Sequence, residues 1–224
     1  MKYTILMPCL NEEKTIGRCI EEAKKYITEN NLDAQILIAD NMSQDKSKKI
    51  ALDSGAKVVD VLKKGYGAAI IEGINSADGE FIIMGDCDLS YDFTSLAPFL
   101  KKLDEGYSLV VGNRFKCGIE KGAMPYLHKM GVPFLSYLAR IKFKAPVGDF
   151  HCGLRAFDKE KAKSYNLSCD GMEFATEIIA KFAKNKAKIC EVPTPFRKDG
   201  RDKKSHLRTF RDGLRHLKYI LFEK

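Results

Sequence analysis

Phe81-Ile82-Ile83-Met84-Gly85-Asp86-Cys87-Asp88-Leu89-Ser90-Tyr91-Asp92 decides how this chain reads. An apolar strand runs straight into clustered carboxylates. A buried strand tolerates no unpaired acid, so Asp86 and Asp88 mark its end, where a sheet edge opens into a cleft. Two carboxylates one residue apart repel each other unless a cation sits between them. A divalent ion with oxygen ligands, Mg²⁺ or Mn²⁺, suits the pair, and such ions often bridge carboxylates to the phosphates of a substrate. Taken alone, an Asp-x-Asp triplet is more often an ordinary acidic loop. The remainder of the chain turns that reading round.

Upstream, Tyr3 to Met7 reads as a buried strand whose ladder Pro8 ends, since proline offers no N–H. Asn11 is the expected N-cap of a helix with Glu12 and Glu13 in its first turn, and Ile16, Cys19, Ile20, Ala23 and Ile27 recur at helical spacing. Gln35 to Ala39 is a second strand. It leads into the polar loop Asp40 to Asp45 and a helix to about Ser54; Lys57 to Val61 is a third strand. This βαβαβ opening implies parallel pairing. In Lys63-Lys64-Gly65-Tyr66-Gly67, the glycines allow close backbone approach and the lysines suit an anion; a plain turn explains the stretch equally well.

Downstream, Thr94 is the expected cap of the next helix, and Ser108 to Gly112 is a strand ending in Asn113-Arg114. Ile119 to Pro146 is apolar but punctuated by Lys129, Arg140, Lys142 and Lys144. It fits an amphipathic segment on a surface or over a groove, or a helix packed on the core. Asp149-Phe150-His151-Cys152-Gly153-Leu154-Arg155 gathers an acid, an imidazole and a guanidinium around a glycine bend. Gly171 to Glu177 opens another helix, Ala187 to Val192 is a last strand, and Arg197 to Ser205 is a basic loop. Leu207, Phe210, Leu214, Leu217 and Leu221 then form one helical stripe, with Arg208, Arg211, Arg215 and Lys218 beside it. Such a helix binds anionic headgroups or phosphates, or is simply a solvated charged face.

The 224 residues are 45% hydrophobic, enough for one α/β domain with a core. A net charge of +8 leaves nucleic acid, anionic lipid and phosphorylated substrates open as partners. Seven scattered cysteines without a C-x-x-C pair point to reduced thiols in the cytosol, not to a disulfide framework or a zinc site. No signal peptide is visible, and the run Met130 to Ala139 is too short to span a bilayer.

These pieces stand in a telling order. They are Met7-Pro8-Cys9-Leu10-Asn11-Glu12-Glu13, Ala39-Asp40-Asn41-Met42-Ser43, Gly65-Tyr66-Gly67-Ala68-Ala69, Met84-Gly85-Asp86-Cys87-Asp88, Gly112-Asn113-Arg114-Phe115, Gly122-Ala123-Met124-Pro125, Asp149 to Arg155, Gly171-Met172-Glu173-Phe174 and Arg211 to Leu217. The ordered set resembles the family 2 glycosyltransferases of the GT-A fold, and most closely the bacterial relatives of dolichyl-phosphate mannose synthase. The resemblance covers essentially the whole chain. It implies an α/β GT-A fold with a mostly parallel central sheet flanked by helices, and a C-terminal amphipathic helix. It further implies one catalytic domain over 1–224. Residues 1–115 would form its nucleotide-sugar half, 116–205 its acceptor-side half and 206–224 the basic helix.

The activity implied is metal-dependent, inverting transfer of a hexose from a nucleotide sugar of the GDP-mannose or UDP-glucose type. The acceptor would be a polyprenyl phosphate at the cytoplasmic face of a membrane. Pro8, Leu10, Glu12, Asp40, Asn41, Lys64, Gly65, Asp86 and Cys87 would bind the nucleotide sugar, with Glu12 accepting from ribose hydroxyls and Asp40 contacting base or ribose. Asp86 and Asp88, joined by His206, would hold Mg²⁺ or Mn²⁺, and Arg114, His151, Arg155, Arg201 and His206 would meet phosphates of donor or acceptor. Asp88, Arg114 and Asp149 would stand at the reaction centre.

An ionised phosphate acceptor needs positioning more than proton removal. A hydroxyl acceptor needs a base, for which Asp149 is the first choice and His151 the second; the alternative for Asp149 is an ion pair with Arg155 or a strand-end cap. Three departures stand out. Ser90 replaces a longer amide side chain, leaving the third metal ligand open. Leu214 replaces a tryptophan common in the subfamily, which removes an interface anchor. The chain ends at Lys224 just where many members continue into hydrophobic helices, so it is either naturally soluble or a catalytic part cut before them.

A processive polysaccharide synthase would need a Gln-x-x-Arg-Trp motif, and this chain has no tryptophan. A nucleotidyltransferase would need a glycine-rich loop after the first strand, where Pro8-Cys9-Leu10-Asn11 stands. A non-catalytic nucleotide-sugar or nucleic-acid binding module remains the reading from another class, but no nucleic-acid motif appears and nucleic acid is not expected as a partner. Self-association stays open.

Overall fold

Residues 1–201 and 209–223 are described by a computed structural model. The strands are β1 (Tyr3–Cys9), β2 (Ala34–Asp40), β3 (Lys57–Asp60), β4 (Phe81–Met84), β5 (Leu109–Asn113), β6 (Arg155–Asp158) and β7 (Ile189–Pro193). The helices are α1 (Ile16–Glu29), α2 (Ser47–Asp53), α3 (Tyr66–Ser76), α4 (Ala97–Asp104), α5 (Arg114–Cys117), α6 (Tyr126–Phe143), α7 (Lys159–Ser164), α8 (Phe174–Lys184) and α9 (Thr209–Phe222).

The seven strands form one sheet in the order β3-β2-β1-β4-β6-β5-β7. β1 is paired on both sides and buried along its whole length, which is why it reads as a continuous apolar run. Pro8 does not end this strand. Pairing with β2 continues through Pro8 to Cys9, whereas pairing with β4 stops at Leu6. The opening βαβαβ is parallel, as the pattern implied.

The sheet is mixed, because β6 lies antiparallel to both β4 and β5. The sequence reading had no strand at Arg155–Asp158. Four residues are too few to show a period of two.

Two expected caps are also corrected. α1 starts at Ile16, after Thr15, and Asn11 adopts a left-handed φ of 56° while its Oδ1 accepts from Gln44 N at 2.8 Å. Asn11 thus ties two loops together, as a short polar side chain in that region can. α4 starts at Ala97; Thr94 instead donates through N and Oγ1 to Asp92 Oδ1, at 2.9 and 2.6 Å. The C-terminal helix shows its orientation here. α9 buries Asp212, His216, Tyr219 and Ile220, while Phe210, Leu214 and Leu221 of the expected apolar stripe face outward. Leu207 and Arg208 lie outside the described residues.

Candidate active site

Parallel strands bring their carboxyl ends to one edge, where ligands bind in open α/β sheets. Here that edge gathers Glu12 beyond β1, Asp40 and Asn41 at β2, and Asp86 to Ser90 beyond β4. Asp88 is buried; its Oδ1 accepts from Ser90 N at 3.0 Å and from the Ser90 hydroxyl. Ser90 therefore orients this carboxylate. Asp86 Oδ1 accepts from the Tyr66 hydroxyl at 3.1 Å. Burial, then the nearby Asp88 charge, pushes the Asp86 carboxyl up to about 6, against the pull of Arg201 and Tyr66.

One cation already sits among these acids. Arg201 donates from Nε to Glu12 Oε1 at 2.6 Å and places Nη1 2.9 Å from Asp88 Oδ2. Burial raises the Glu12 carboxyl, and the Arg201 contact works against it. The segment carrying Arg201 lies across the end of β4: Arg197 N donates to Ser90 O and Gly200 N to Asp88 O, both at 2.9 Å. Arg197 also pairs with Glu22 and Asp92.

The hard oxygen donors of Asp86 and Asp88 suit Mg²⁺ or Mn²⁺, and the guanidinium of Arg201 shows that this place accepts positive charge. Among the described residues no group of three or more His, Cys, Asp or Glu side chains is arranged to hold an ion. The two aspartates would thus hold such an ion together with oxygens from elsewhere. His206 lies outside the described residues.

Asp40 Oδ2 accepts from Ser43 N at 3.2 Å, while its buried Oδ1 has no hydrogen-bond partner. Pro8 is buried, Leu10 half-buried and Lys64 exposed. Two residues expected to meet the donor are used inside the protein. Asn41 donates to the carbonyls of Val61 and Lys63 and accepts from Gly65 N. Cys87 is buried, with its thiol donating to Pro8 O at 3.1 Å. Gly65, at φ 147°, allows close backbone approach as expected, but the neighbour is the chain itself: a Cβ there would lie 2.2 Å from Asp170 O.

The residues expected on the acceptor side are built around a buried ion pair. Arg114 donates Nε to Asp149 Oδ2 at 2.7 Å and Nη2 to Oδ1 at 2.9 Å, in the bidentate geometry that strengthens such pairs. Its guanidinium stands 5.1 Å from the Phe196 ring centroid. Asp149 Oδ1 also accepts from His151 N. The partner of Asp149 is thus Arg114, not Arg155. Arg155 is fully buried and donates to the carbonyls of Cys152, Ala175 and Phe150, each at 2.8 Å. That corrects its expected phosphate contact, since every guanidinium nitrogen is engaged in holding the chain's shape. His151 is likewise not a charged phosphate ligand. Burial, then His216, holds its imidazole well below the usual histidine range, and the two rings pack edge to face at 4.3 Å.

Three positioning residues escaped the sequence reading. Tyr66 and Ser90 hold the two aspartates. Glu191 Oε2 accepts from Asn113 Nδ2 at 3.0 Å and from Gly148 N at 2.6 Å, which joins β5 to the segment carrying Asp149. A lone acid inside the apolar run Ile189-Cys190-Glu191-Val192 was the available signal. A cleft of about 540 Å³ lies beside the Lys63 loop, lined by Asp60, Lys63, Ala68, Glu72 and Asp170 among others, and includes neither Asp86 nor Asp88.

The sequence model of glycosyl transferase family 2 matches residues 4–165. A low-salt glycan biosynthesis hexosyltransferase, Agl6, of Haloferax volcanii is 34% identical over 97% of this chain, which spans about half, 52%, of that protein. Glycosyltransferase AglJ of the same organism is 32% identical over 93% of this chain and 67% of its own length. A dolichyl-phosphate hexose transferase of that organism is 30% identical over 86% of this chain and 82% of its own length. In structure, the chain resembles glucosyl-3-phosphoglycerate synthase of Mycobacterium tuberculosis, solved with Mn²⁺, UDP and glucosyl-3-phosphoglycerate. The TM-score is 0.75 at 19% identity, covering 98% of this chain and 79% of that one, and the likeness shows the fold. The parallel strand ends, the paired aspartates and these matches lead to one conclusion: the chain belongs to glycosyl transferase family 2 and has the GT-A fold.

Proposed function

We propose that this chain transfers a hexose, with inversion, from a nucleotide sugar to a polyprenyl phosphate at the cytoplasmic face of a membrane. The observation that carries the donor half is the convergence of Glu12 and Asp88 on one cation at the strand ends, beside Asp86 and near the unpartnered Asp40 Oδ1. Asp40 Oδ1 accepts a ring N–H of the base, which uracil and guanine both carry. The mycobacterial synthase was solved with UDP, so UDP-sugars are the first donors to test, ahead of GDP-mannose.

Asp86 and Asp88 would hold Mg²⁺ or Mn²⁺, which when bound stabilises the departing nucleoside diphosphate as a Lewis acid. Tyr66 and Ser90 keep the two carboxylates aimed. Arg201, displaced from Glu12, turns its fork to phosphate oxygens, and Glu12 then accepts from the ribose hydroxyls. The acceptor's phosphate oxygen is already ionised near neutral pH, so attack on the sugar needs alignment and charge stabilisation rather than a base. Asp149 accordingly holds Arg114 in place. Both its oxygens are engaged, which disfavours the role of general base for a hydroxyl acceptor. The name of the dolichyl-phosphate hexose transferase supports the acceptor class. Seven free cysteines support a reducing compartment.

The test is a calorimetric titration of UDP, GDP and their sugars with and without Mn²⁺, followed by transfer from the bound sugar nucleotide to undecaprenyl phosphate. Metal-dependent binding of one nucleotide and formation of a lipid-linked sugar are expected. Absence of metal-dependent binding for every nucleotide would remove the donor assignment.

A further inference from the structure

The segment from Thr194 to Arg201 follows β7, crosses the end of β4 and is pinned along its length. Phe196 N donates to Gly118 O at 3.2 Å, and Phe196 O accepts from Glu120 N at 2.9 Å. Lys198 N donates to Glu120 Oε2 at 2.9 Å. Arg197 N and Gly200 N donate to the carbonyls of Ser90 and Asp88, while Glu22 and Asp92 hold the Arg197 guanidinium. A Cβ on Gly200 would come within 2.7 Å of Leu89 Cδ1, so this strap lies tight on the loop that carries the two aspartates. It delivers one mobile group to the site, the side chain of Arg201. That side chain is 17% exposed, against 4% for Glu12 and 9% for Asp88, so the cation is nearly sealed against its two acids.

This contact opposes any divalent ion that enters alone. The ion must take Asp88 from Arg201, and a largely buried charge stripped of a partner is destabilised. It also finds too few ligands. Ions of this kind take six or more oxygens, and among the described residues no group of three His, Cys, Asp or Glu side chains is arranged to hold one. A diphosphate removes both obstacles together. Its oxygens match the planar fork of Arg201, and they complete the shell of the ion.

We infer that the Thr194–Arg201 strap makes an autoinhibitory contact: Arg201 closes the ion's place in the empty site, and a nucleoside diphosphate opens it, so that nucleotide binds ahead of the metal. This rests on the nucleotide-sugar reading of the same site and adds its regulation. The strap backbone stays seated, and only the Arg201 side chain changes partners, from carboxylates to phosphate. Binding free energies are reciprocal, so ion and nucleotide tighten each other. Part of that coupling runs through Arg201.

The experiment measures two affinities in the wild type, Arg201→Gln and Arg197→Gln. One is that of Mn²⁺ alone, from the paramagnetic resonance of the free ion. The other is that of UDP and GDP in EDTA, by calorimetry. In the wild type, one nucleotide binds weakly in EDTA, and Mn²⁺ alone binds weakly. Arg201→Gln is expected to tighten Mn²⁺ at least about fivefold and to weaken that nucleotide at least about fivefold. The two shifts have opposite signs, whereas damage to the fold would weaken both. Arg197→Gln loosens the strap from Glu22 and Asp92 but keeps the Arg201 guanidinium. It should tighten Mn²⁺ by a smaller factor and leave nucleotide affinity within about twofold. Equal Mn²⁺ affinity in the wild type and Arg201→Gln would overturn the inference. Nucleotide binding that requires Mn²⁺ to be bound first would overturn it too. If neither nucleotide binds with or without Mn²⁺ while Arg201→Gln still tightens Mn²⁺, the donor reading fails and the blocking contact stands.

Discussion

The guanidinium of Arg201 stands 2.9 Å from Asp88 Oδ2 and reaches Glu12 with its other nitrogens. The chain supplies its own counter-ion to a pair of acids that would otherwise repel a neighbour. A divalent ion at Asp88 must displace that side chain. In the absence of nucleotide, Arg201→Ala is therefore expected to tighten Mn²⁺ binding several-fold, read by the paramagnetic resonance of free Mn²⁺. With donor present, the same variant should lose turnover, because the fork proposed to meet phosphate is gone. Unchanged Mn²⁺ affinity would show that Arg201 does not compete for this place.

Breaking the Arg114–Asp149 pair should cost the fold more than breaking a surface pair. Both side chains are buried, and removing one partner of a buried pair strands the other charge, at a cost of about 3 to 5 kcal/mol. Asp149→Ala should lower the urea midpoint accordingly. Lys63→Ala, which breaks the exposed contact to Asp170, should cost under about 1 kcal/mol.

Acid should destabilise the fold through the two histidines packed between α9 and the Asp149 segment. Burial, then Arg155 and Arg215, holds His216 at about 4, and burial depresses His151 too. A histidine in the unfolded chain titrates near 6.5. Above that value both states are neutral and nothing is lost. Below it the unfolded chain takes up protons that the folded chain refuses, so stability falls as pH drops from about 6.5 towards 4, by about 3 kcal/mol for His216 alone. About 2 kcal/mol of that falls between pH 7.5 and pH 5, while Asp86, pushed up to about 6, contributes in the opposite sense; the drop in stability between the two pH values should therefore be about 2 kcal/mol smaller in His216→Gln than in the wild type.

Gly153 has no room for a methyl group. A Cβ there would lie 2.6 Å from Asp86 Oδ2 and 3.0 Å from the Tyr91 ring, whose hydroxyl accepts from Gly153 N at 2.7 Å. Gly153→Ala should move Asp86 and weaken metal-dependent nucleotide binding by about tenfold, with a stability loss of about 1 to 3 kcal/mol. Circular dichroism and calorimetry on the same sample separate the two effects.

The acids gathered at the strand ends were legible because their chemistry is local. Asp86 and Asp88 end a strand that is plainly apolar, and Asp40 ends another. The segment from Asp149 to Arg155 was less so, because its meaning lies in contacts with segments distant in sequence. Arg155 looks like a phosphate ligand in sequence, yet its neighbours in space are three carbonyls. Asp149 finds Arg114, 35 positions away. The buried face of α9 was not legible for a different reason: periodicity shows that a helix has two faces, but its packing partner decides which is buried. Here Asp212 and His216 go inward, with the His216 ring against His151 and its Nδ1 bonded to Thr176 Oγ1.

β6 has a consequence for how such enzymes diversify. It enters the sheet between β4 and β5, both of which precede it by many residues, and it sets Arg155 opposite Met84, two positions before Asp86. A crossover between relatives near residue 115 would therefore ask a foreign strand to fit a gap shaped by another parent. A splice at that point is expected to cost stability at the β4–β6–β5 seam, whereas exchange of the loops that cap the sheet edge should leave the sheet intact.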